Sequence, residues 1–142
     1  MKVVIMAGGK GTRISQVNSM VPKPMISIDG KPILEHQIGT LKKQGYTEII
    51  LIIGYLGDVI SDYFGDGSTM GVSISYIVEE KPLGTAGALY FLKDRILEDF
   101  LLLNGDVIFE NWVNFYGQLE HDKIIKCFYN SDIFVDTYHT NK

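Results

Sequence analysis

The chain has little of what marks several common protein classes. Its 142 residues include one cysteine, Cys127, so an internal disulfide is excluded and a reducing compartment is expected. The three histidines do not cluster in sequence with carboxylates or with the cysteine, and we therefore expect no zinc site. Lysine and arginine number 13 against 17 acidic residues, and the net charge of −4 offers no basic footprint for nucleic acid.

Long apolar runs are also missing. The run Ile49 to Ile53, near the middle of the chain, is far too short to cross a bilayer. The N-terminal apolar run ends at Ala7 and is followed by Lys10 and Arg13, so we expect no signal peptide. These features predict a single cytoplasmic domain that binds neither nucleic acid nor membrane.

The first residues combine an apolar run with a glycine-rich loop. Lys2 to Ala7 is typical of a buried strand, and it leads into G-G-K-G-T-R at residues 8 to 13. Glycines let a backbone approach a ligand closely, and N–H groups and cations meet phosphate oxygens. The segment fits neither G-x-x-x-x-G-K-[ST] nor G-x-G-x-x-G, because Ile14 stands where the third glycine would be. It predicts a polyphosphate site outside those two motifs.

Strands and helices alternate along most of the chain. The predicted strands are 2–7, 48–53, 72–78 and 100–103, and the predicted helices are 32–44, 58–64 and 85–96. Alternation of this kind predicts a parallel sheet covered by helices, with ligands at the carboxyl ends of the strands. The glycine loop after the first strand and Asn104-Gly105-Asp106 after the fourth both fall at that edge.

Several motifs, in order over about residues 1 to 110, resemble those of the sugar-1-phosphate nucleotidyltransferases. The glycine-rich segment is followed by P-K-P-M at 22–25, I-D-G-K-P-I-L at 28–34, G-Y-L-G at 54–57, Y-F-G-D-G at 63–67, P-L-G-T-A-G-A at 82–88 and L-N-G-D at 103–106. The mannose- and heptose-1-phosphate guanylyltransferases are the most similar type. The resemblance implies a Rossmann-like α/β fold: a three-layer arrangement of a parallel or mixed sheet with helices on both faces, as in nucleotide-diphospho-sugar transferases.

The resemblance also implies an activity and its partners. The expected reaction transfers a nucleotidyl group from a nucleoside triphosphate, with GTP favoured, to a sugar 1-phosphate and releases pyrophosphate. Mg²⁺ is the implied cofactor, and nucleotide-sugar synthesis for cell-surface polysaccharide is the implied role. Cytidylyl, uridylyl or thymidylyl transfer, a non-catalytic nucleotide-binding module and an unrelated dinucleotide-binding protein remain alternatives.

Three side chains are the candidates for chemistry. Arg13 can engage two phosphate oxygens with its planar guanidinium, and Lys23 can place a point charge on phosphate. Pro24 predicts an extended backbone at Lys23. Asp106 follows an apolar strand and is the candidate Mg²⁺ ligand, with a turn or capping aspartate as the alternative. The residues that match these three in the family have the corresponding roles.

The nucleotide itself is expected to contact backbone and acidic groups around the same loop. The candidates are Ala7, Gly8, Gly9, Gly11, Thr12, Glu80, Gly84 and Thr85. A glutamate at position 79 or 80 could accept hydrogen bonds from guanine, which favours GTP. The alternative is that both glutamates form a solvated strand end and that Thr85 caps the next helix.

The segment 111–142 is expected to be a divergent tail on the family-like core 1–110. A helix at 111–119 and a strand at 123–128 are predicted there. Family members are considerably longer, and their second half supplies the sugar site, so we expect this chain to be the nucleotide-binding portion, as a truncated or frameshifted gene would leave it. An unpaired sheet edge would make the chain prone to associate, so a homo-oligomer is expected.

Overall fold

A computed structural model describes residues 1–9, 21–81, 84, 91–92, 95–96, 100–106, 127–129 and 132–134. The strands are β1 (Lys2–Met6), β2 (Ser27–Ile28), β3 (Lys31–Pro32), β4 (Glu48–Ile53), β5 (Ser73–Val78), β6 (Phe100–Asn104), β7 (Cys127–Tyr129) and β8 (Asp132–Phe134). The helices are α1 (Ile33–Lys43) and α2 (Gly57–Phe64), with single 3-10 turns at Lys23–Met25 and Ser68–Met70. None of the helices described is long and apolar enough to cross a membrane.

The main sheet contains four parallel strands in the order β5-β4-β1-β6. β1 is central, and its Val3, Val4 and Ile5 have no solvent exposure. β-branched and leucine side chains suit a strand that is covered on both faces, which explains its continuous apolar run. The pairs β2-β3 and β7-β8 form separate two-stranded antiparallel ladders.

The two faces of the sheet are covered by different parts of the chain. The connections from β1 to β4 and from β4 to β5 run in one direction across the sheet, and their helices α1 and α2 pack on the same face. The connection from β5 to β6 runs in the reverse direction. Parallel crossovers are almost always right-handed, so the described residues of this connection are expected on the opposite face. Leu92 and Ile96 are indeed buried there, against Ile50, Ile52 and Leu102.

Local sequence explains where the helices begin and end. α1 buries Leu34, Ile38 and Leu41 at helical spacing, and it ends at Gln44 before Gly45, whose φ is 88°. α2 ends at Gly65, whose φ of 52° is also left-handed. Glycine adopts this conformation without a steric cost, so both helices stop where the sequence predicts.

The structure confirms the α/β class and the four parallel strands, with bounds within about two residues of the predicted ones. Phe91, Leu92 and Arg95 lie in turns and Ile96 has no regular structure, so the predicted helix 85–96 does not extend through them. Its other residues, the predicted helix 111–119 and residues 123–126 of the last predicted strand lie outside the described residues. Residues 127–128 of that strand begin β7.

Candidate nucleotide-binding site

The candidate site lies where the order in which successive strands are added to the sheet reverses. The chain moves outward from β1 through β4 to β5 and then returns to β6 on the other side of β1. The carboxyl ends of the neighbouring strands β1 and β6 therefore lie at the switch point of the sheet topology. Ligands of open α/β sheets bind in the crevice at such a point.

Close backbone contact joins the two strand ends that border the crevice. The Gly105 N–H donates to the Met6 carbonyl at 2.9 Å. A Cβ on Gly105 would lie 3.1 Å from the same oxygen and 3.2 Å from the Ala7 Cβ. The glycine before Asp106 thus lets β6 end directly beside β1.

Lys23 and Asp106 meet at this crevice although they are 83 residues apart in sequence. The Lys23 ammonium donates a hydrogen bond to the Asp106 carboxylate. The two side chains are 32% and 25% exposed, so each remains open to a ligand from solvent. Two oppositely charged groups with this exposure can bind complementary parts of one ligand: an anionic phosphate at the lysine and a cation at the carboxylate.

The backbone at Lys23 differs from the prediction. Lys23 begins a 3-10 turn, in which the Met25 N–H donates to the Pro22 carbonyl at 2.8 Å and the Ile26 N–H to the Lys23 carbonyl at 3.1 Å. The predicted extended backbone is therefore wrong. Burial of Pro24 and Met25 together with these two hydrogen bonds outweighs the weak steric bias that a following proline imposes.

A second close approach involves the carboxyl ends of β1, β4 and β5. A Cβ on Gly8 would lie 3.1 Å from the Gly54 nitrogen and 3.3 Å from the Glu79 Oε2. The Glu79 N–H is held by the Ile53 carbonyl at 2.7 Å. The Glu79 carboxylate therefore lies beside Gly8, whereas Glu80 is exposed.

The remaining sequence candidates divide into two groups. Ala7 is buried and its N–H donates to the Ile52 carbonyl at 2.8 Å, while Gly9 is exposed and has free space around its Cα. Gly84 has a φ of 70° and is also exposed. Gly11, Thr12, Arg13 and Thr85 lie outside the described residues.

Sequence reasoning missed one buried polar residue that contacts the end of β6. Gln37, on α1, is fully buried and donates from Nε2 to the Asn104 carbonyl at 2.8 Å. The signal was present, because a glutamine interrupts the apolar spacing of Leu34, Ile38 and Leu41 on the inward side of α1. A polar residue in that position needs a partner, which the sequence alone does not name.

Asp106 fits the part of a single protein ligand for a magnesium ion, the cofactor that the family resemblance implies. No group of three or more histidine, cysteine, aspartate or glutamate side chains among the described residues could hold an ion. Asp106 offers one partly exposed carboxylate. One carboxylate suffices for Mg²⁺ when phosphate oxygens and waters complete its coordination, as is usual for this ion.

Comparison with known proteins identifies the class. The family described as nucleotidyl transferase matches residues 2–130. The chain therefore belongs to the nucleotidyl transferase family, which confirms the resemblance seen in its motifs.

Individual relatives share about half of their length or less with this chain. The D-glycero-alpha-D-manno-heptose 1-phosphate guanylyltransferase of Campylobacter jejuni is 41% identical over 110 residues, 78% of this chain and 49% of that protein. The bifunctional protein GlmU of Methanococcus maripaludis is 46% identical over 114 residues, 80% of this chain and 26% of that protein. The crystal structure of HddC from Yersinia pseudotuberculosis, complexed with GMP-PN, is 40% identical with a TM-score of 0.66, covering 74% of this chain and 47% of HddC.

Proposed function

We propose that this chain binds a nucleoside triphosphate at the carboxyl edge of its sheet and contributes this site to nucleotidyl transfer onto a sugar 1-phosphate. The observation that carries the proposal is the contact between Lys23 and Asp106 beside the end of β1. A cation for phosphate and a carboxylate for a metal ion meet where an open α/β sheet binds ligands. The family of the chain supports the same reaction class.

The proposed reaction is a displacement at the α-phosphorus. A phosphate oxygen of the sugar 1-phosphate forms a bond to that phosphorus. The bond from the α-phosphorus to the oxygen that bridges to the β-phosphate breaks, and pyrophosphate leaves with the bonding electron pair. The protein has little covalent work to do, because alignment of the two reactants and neutralisation of charge account for most of such catalysis.

Each candidate side chain has a role in that neutralisation. Lys23 and Arg13 bind phosphate oxygens, Lys23 as a point charge and Arg13 through two N–H groups. Asp106 would hold Mg²⁺, which when bound offsets the negative charge of the phosphates. The backbone of Ala7, Gly8, Gly9 and Gly11, with Thr12, Gly84 and Thr85, is proposed to line the nucleotide.

GTP is the proposed nucleotide. The carboxylate of Glu79 lies beside Gly8, where it could accept hydrogen bonds from the N–H edge of guanine. Glu80, the alternative acceptor, is exposed at the next position along the chain. The guanylyltransferase relative supports this choice, as does the structure similarity to HddC with GMP-PN.

The wider role remains part of the proposal. We propose that residues 1–110 form the nucleotide-binding core, that the reaction occurs in the cytoplasm and that its product serves cell-surface polysaccharide. A pyrophosphate-release assay tests the reaction. GTP, CTP, UTP and dTTP are each combined with mannose, heptose and glucose 1-phosphates, with Mg²⁺ present. Release with GTP is expected once the second half that carries the sugar site in family members is present. In its presence, a nucleotide that binds without release under any combination would instead indicate a non-catalytic module.

The metal role of Asp106 has its own test. Asp106→Asn keeps the size of the side chain and removes the charge that attracts Mg²⁺. We expect GTP affinity to fall at least tenfold when Mg²⁺ is present, since hydrogen bonds and contacts to charged groups contribute about 1.5–3 kcal/mol. Isothermal calorimetry with and without Mg²⁺ measures this. Equal Mg²⁺ dependence in the two proteins would contradict the assignment.

A further inference from the structure

Gln37 occupies a costly position for a polar side chain. Of the described residues, it is the one polar side chain that is buried, with no solvent exposure, and it lies among the apolar residues of α1. Its Nε2 donates to the Asn104 carbonyl, whereas its Oε1 is buried with no hydrogen-bond partner among the described residues. Burial of an amide whose oxygen has no hydrogen bond destabilises a fold.

The one hydrogen bond that Gln37 makes falls at a functional position. Asn104 is the last residue of β6, and Gly105 and Asp106 follow it directly. The bond joins α1 to β6 across 67 residues of sequence. It therefore acts on the peptide from which the chain turns towards Asp106.

The same helix also supports the other half of the Lys23–Asp106 pair. α1 contacts the 3-10 turn Lys23–Met25, and Met25 belongs to the apolar cluster that includes Leu34 and Ile38. Packing thus places Lys23 relative to α1, and the Gln37 hydrogen bond places the end of β6 relative to the same helix. An apolar side chain at position 37 could fill the space but could not orient a carbonyl.

We infer that Gln37 is a positioning residue of the nucleotide site: its amide fixes the end of β6 so that Asp106 faces Lys23. The inference rests on the proposed function, because it assigns Gln37 to the site through Asp106. It explains why a buried amide is retained against its cost, since functional sites are where local stability is given up for geometry.

Gln37→Met tests the inference, because methionine matches the length of glutamine and cannot donate. We expect GTP affinity in the presence of Mg²⁺ to fall by about twofold to tenfold, the range that one ordinary hydrogen bond supplies. Ile38→Val, a small change to the next buried residue of α1, is the matched control and leaves the affinity unchanged. Gln37→Glu is a second variant. Burial disfavours its charged form, so its neutral carboxyl can donate to the same carbonyl and retains more affinity than methionine.

A double-mutant cycle with Asp106→Asn separates positioning from a general effect on the fold. If Gln37 acts through Asp106, the effect of Gln37→Met disappears in the Asp106→Asn background. An equal loss in both backgrounds would overturn the inference, and so would full affinity in Gln37→Met when Asp106→Asn alone weakens binding. If Asp106→Asn itself leaves Mg²⁺-dependent binding intact, the proposed function fails first and the inference with it.

A measurement on the free protein completes the test without any ligand. The backbone amide signals of Gly105 and Asp106 should move in the NMR spectrum of Gln37→Met and stay in place in Ile38→Val. Unchanged signals in both variants would show that Gln37 does not set the end of β6, and the inference would be wrong.

Discussion

At the scale of single residues, two lysines show how position determines whether a positive charge is available to a ligand. Lys23 is half-buried and contacts Asp106 at the crevice, whereas Lys31 is 60% exposed and pairs with Glu35 at 3.1 Å on the surface of α1. Exposed ion pairs contribute little because water and salt screen them. A charge at a crevice is instead available to a phosphate with less competition from solvent.

Lys23→Ala should therefore weaken triphosphate binding while Lys31→Ala should not. We expect a loss of about threefold to tenfold in GTP affinity for Lys23→Ala, smaller than for Arg13→Ala, since a point charge makes fewer directed hydrogen bonds than a guanidinium. Affinity for guanosine, which has no phosphate, should be unchanged. Calorimetry with both ligands measures the difference. An equal loss for nucleoside and triphosphate would contradict the phosphate role.

At the scale of elements, a glycine within α1 and a glycine just after it require different backbone conformations. Gly39 lies within α1, and Gly45 lies just after it with a φ of 88°; neither has an atom within 4 Å of an added Cβ. Contacts with neighbouring residues therefore do not distinguish the two glycines. The two positions differ in backbone conformation.

Alanine at these two positions should change stability in opposite directions. Gly39→Ala should raise the free energy of unfolding by about 0.5–1 kcal/mol, because alanine favours the helix. Gly45→Ala should lower it by about 1 kcal/mol, because an L side chain is strained at this φ. Urea denaturation measures both variants. A gain at position 45 would show that α1 does not end in the conformation described.

The connection between α2 and β5 carries a pH-sensitive contact. The Tyr76 hydroxyl of β5 donates to the carbonyl of Gly65, at the end of α2, at 2.5 Å. Burial first, and repulsion by Asp66 second, raise the pKa of Tyr76 above its usual value of 10.0. The folded state therefore favours the neutral phenol. Its contribution to stability is complete below pH 10 and is lost as pH rises through the raised folded pKa.

In Tyr76→Phe, the free energy of unfolding should consequently fall less steeply as pH rises above 10. The variant loses one hydrogen bond at neutral pH, about 0.5–1.5 kcal/mol, but has no phenol to ionise. The gap between wild type and variant should narrow as pH rises above 10. Thermal denaturation at a series of pH values measures it. Parallel curves for the two proteins would show that the pKa of Tyr76 is the same in the folded and unfolded states.

At the scale of the whole molecule, one sheet joins two apolar clusters. Leu51 belongs to the cluster under α1 and α2, and Leu102 belongs to the cluster on the opposite face, and both are completely buried. The strands that carry them are both hydrogen-bonded to β1. Loss of either cluster therefore removes support from the same central strand.

Leu51→Ala and Leu102→Ala should each destabilise the entire chain. Each should lower the free energy of unfolding by about 2–5 kcal/mol through lost burial and a cavity. Val59→Ala, at a position of α2 that is 37% exposed, is the control with little effect. Circular dichroism and tyrosine fluorescence should report one shared transition. Two separate transitions in either variant would mean that the faces unfold independently.

Local sequence was sufficient for the four strands of the main sheet and for both described helices, but β2, β3 and β8 were not predicted. The apolar runs of β1, β4 and β6 are continuous because both faces of the sheet are covered, and Gly45 and Gly65 mark helix ends by their backbone freedom. The motifs also led to the family, which the match over residues 2–130 confirms. All of these signals depend on neighbours within a few residues.

Tertiary structure alone decided which of the candidate residues stand together. Lys23 meets Asp106, Glu79 faces Gly8 and Gln37 reaches Asn104 because crossover handedness and strand order bring distant segments to one edge of the sheet. The 3-10 turn at Lys23 arose in the same way, since burial of Met25 against α1 outweighed a local preference. Local patterns reflect the short-range energies of the backbone, whereas the geometry of a site depends on contacts between residues that are far apart in sequence.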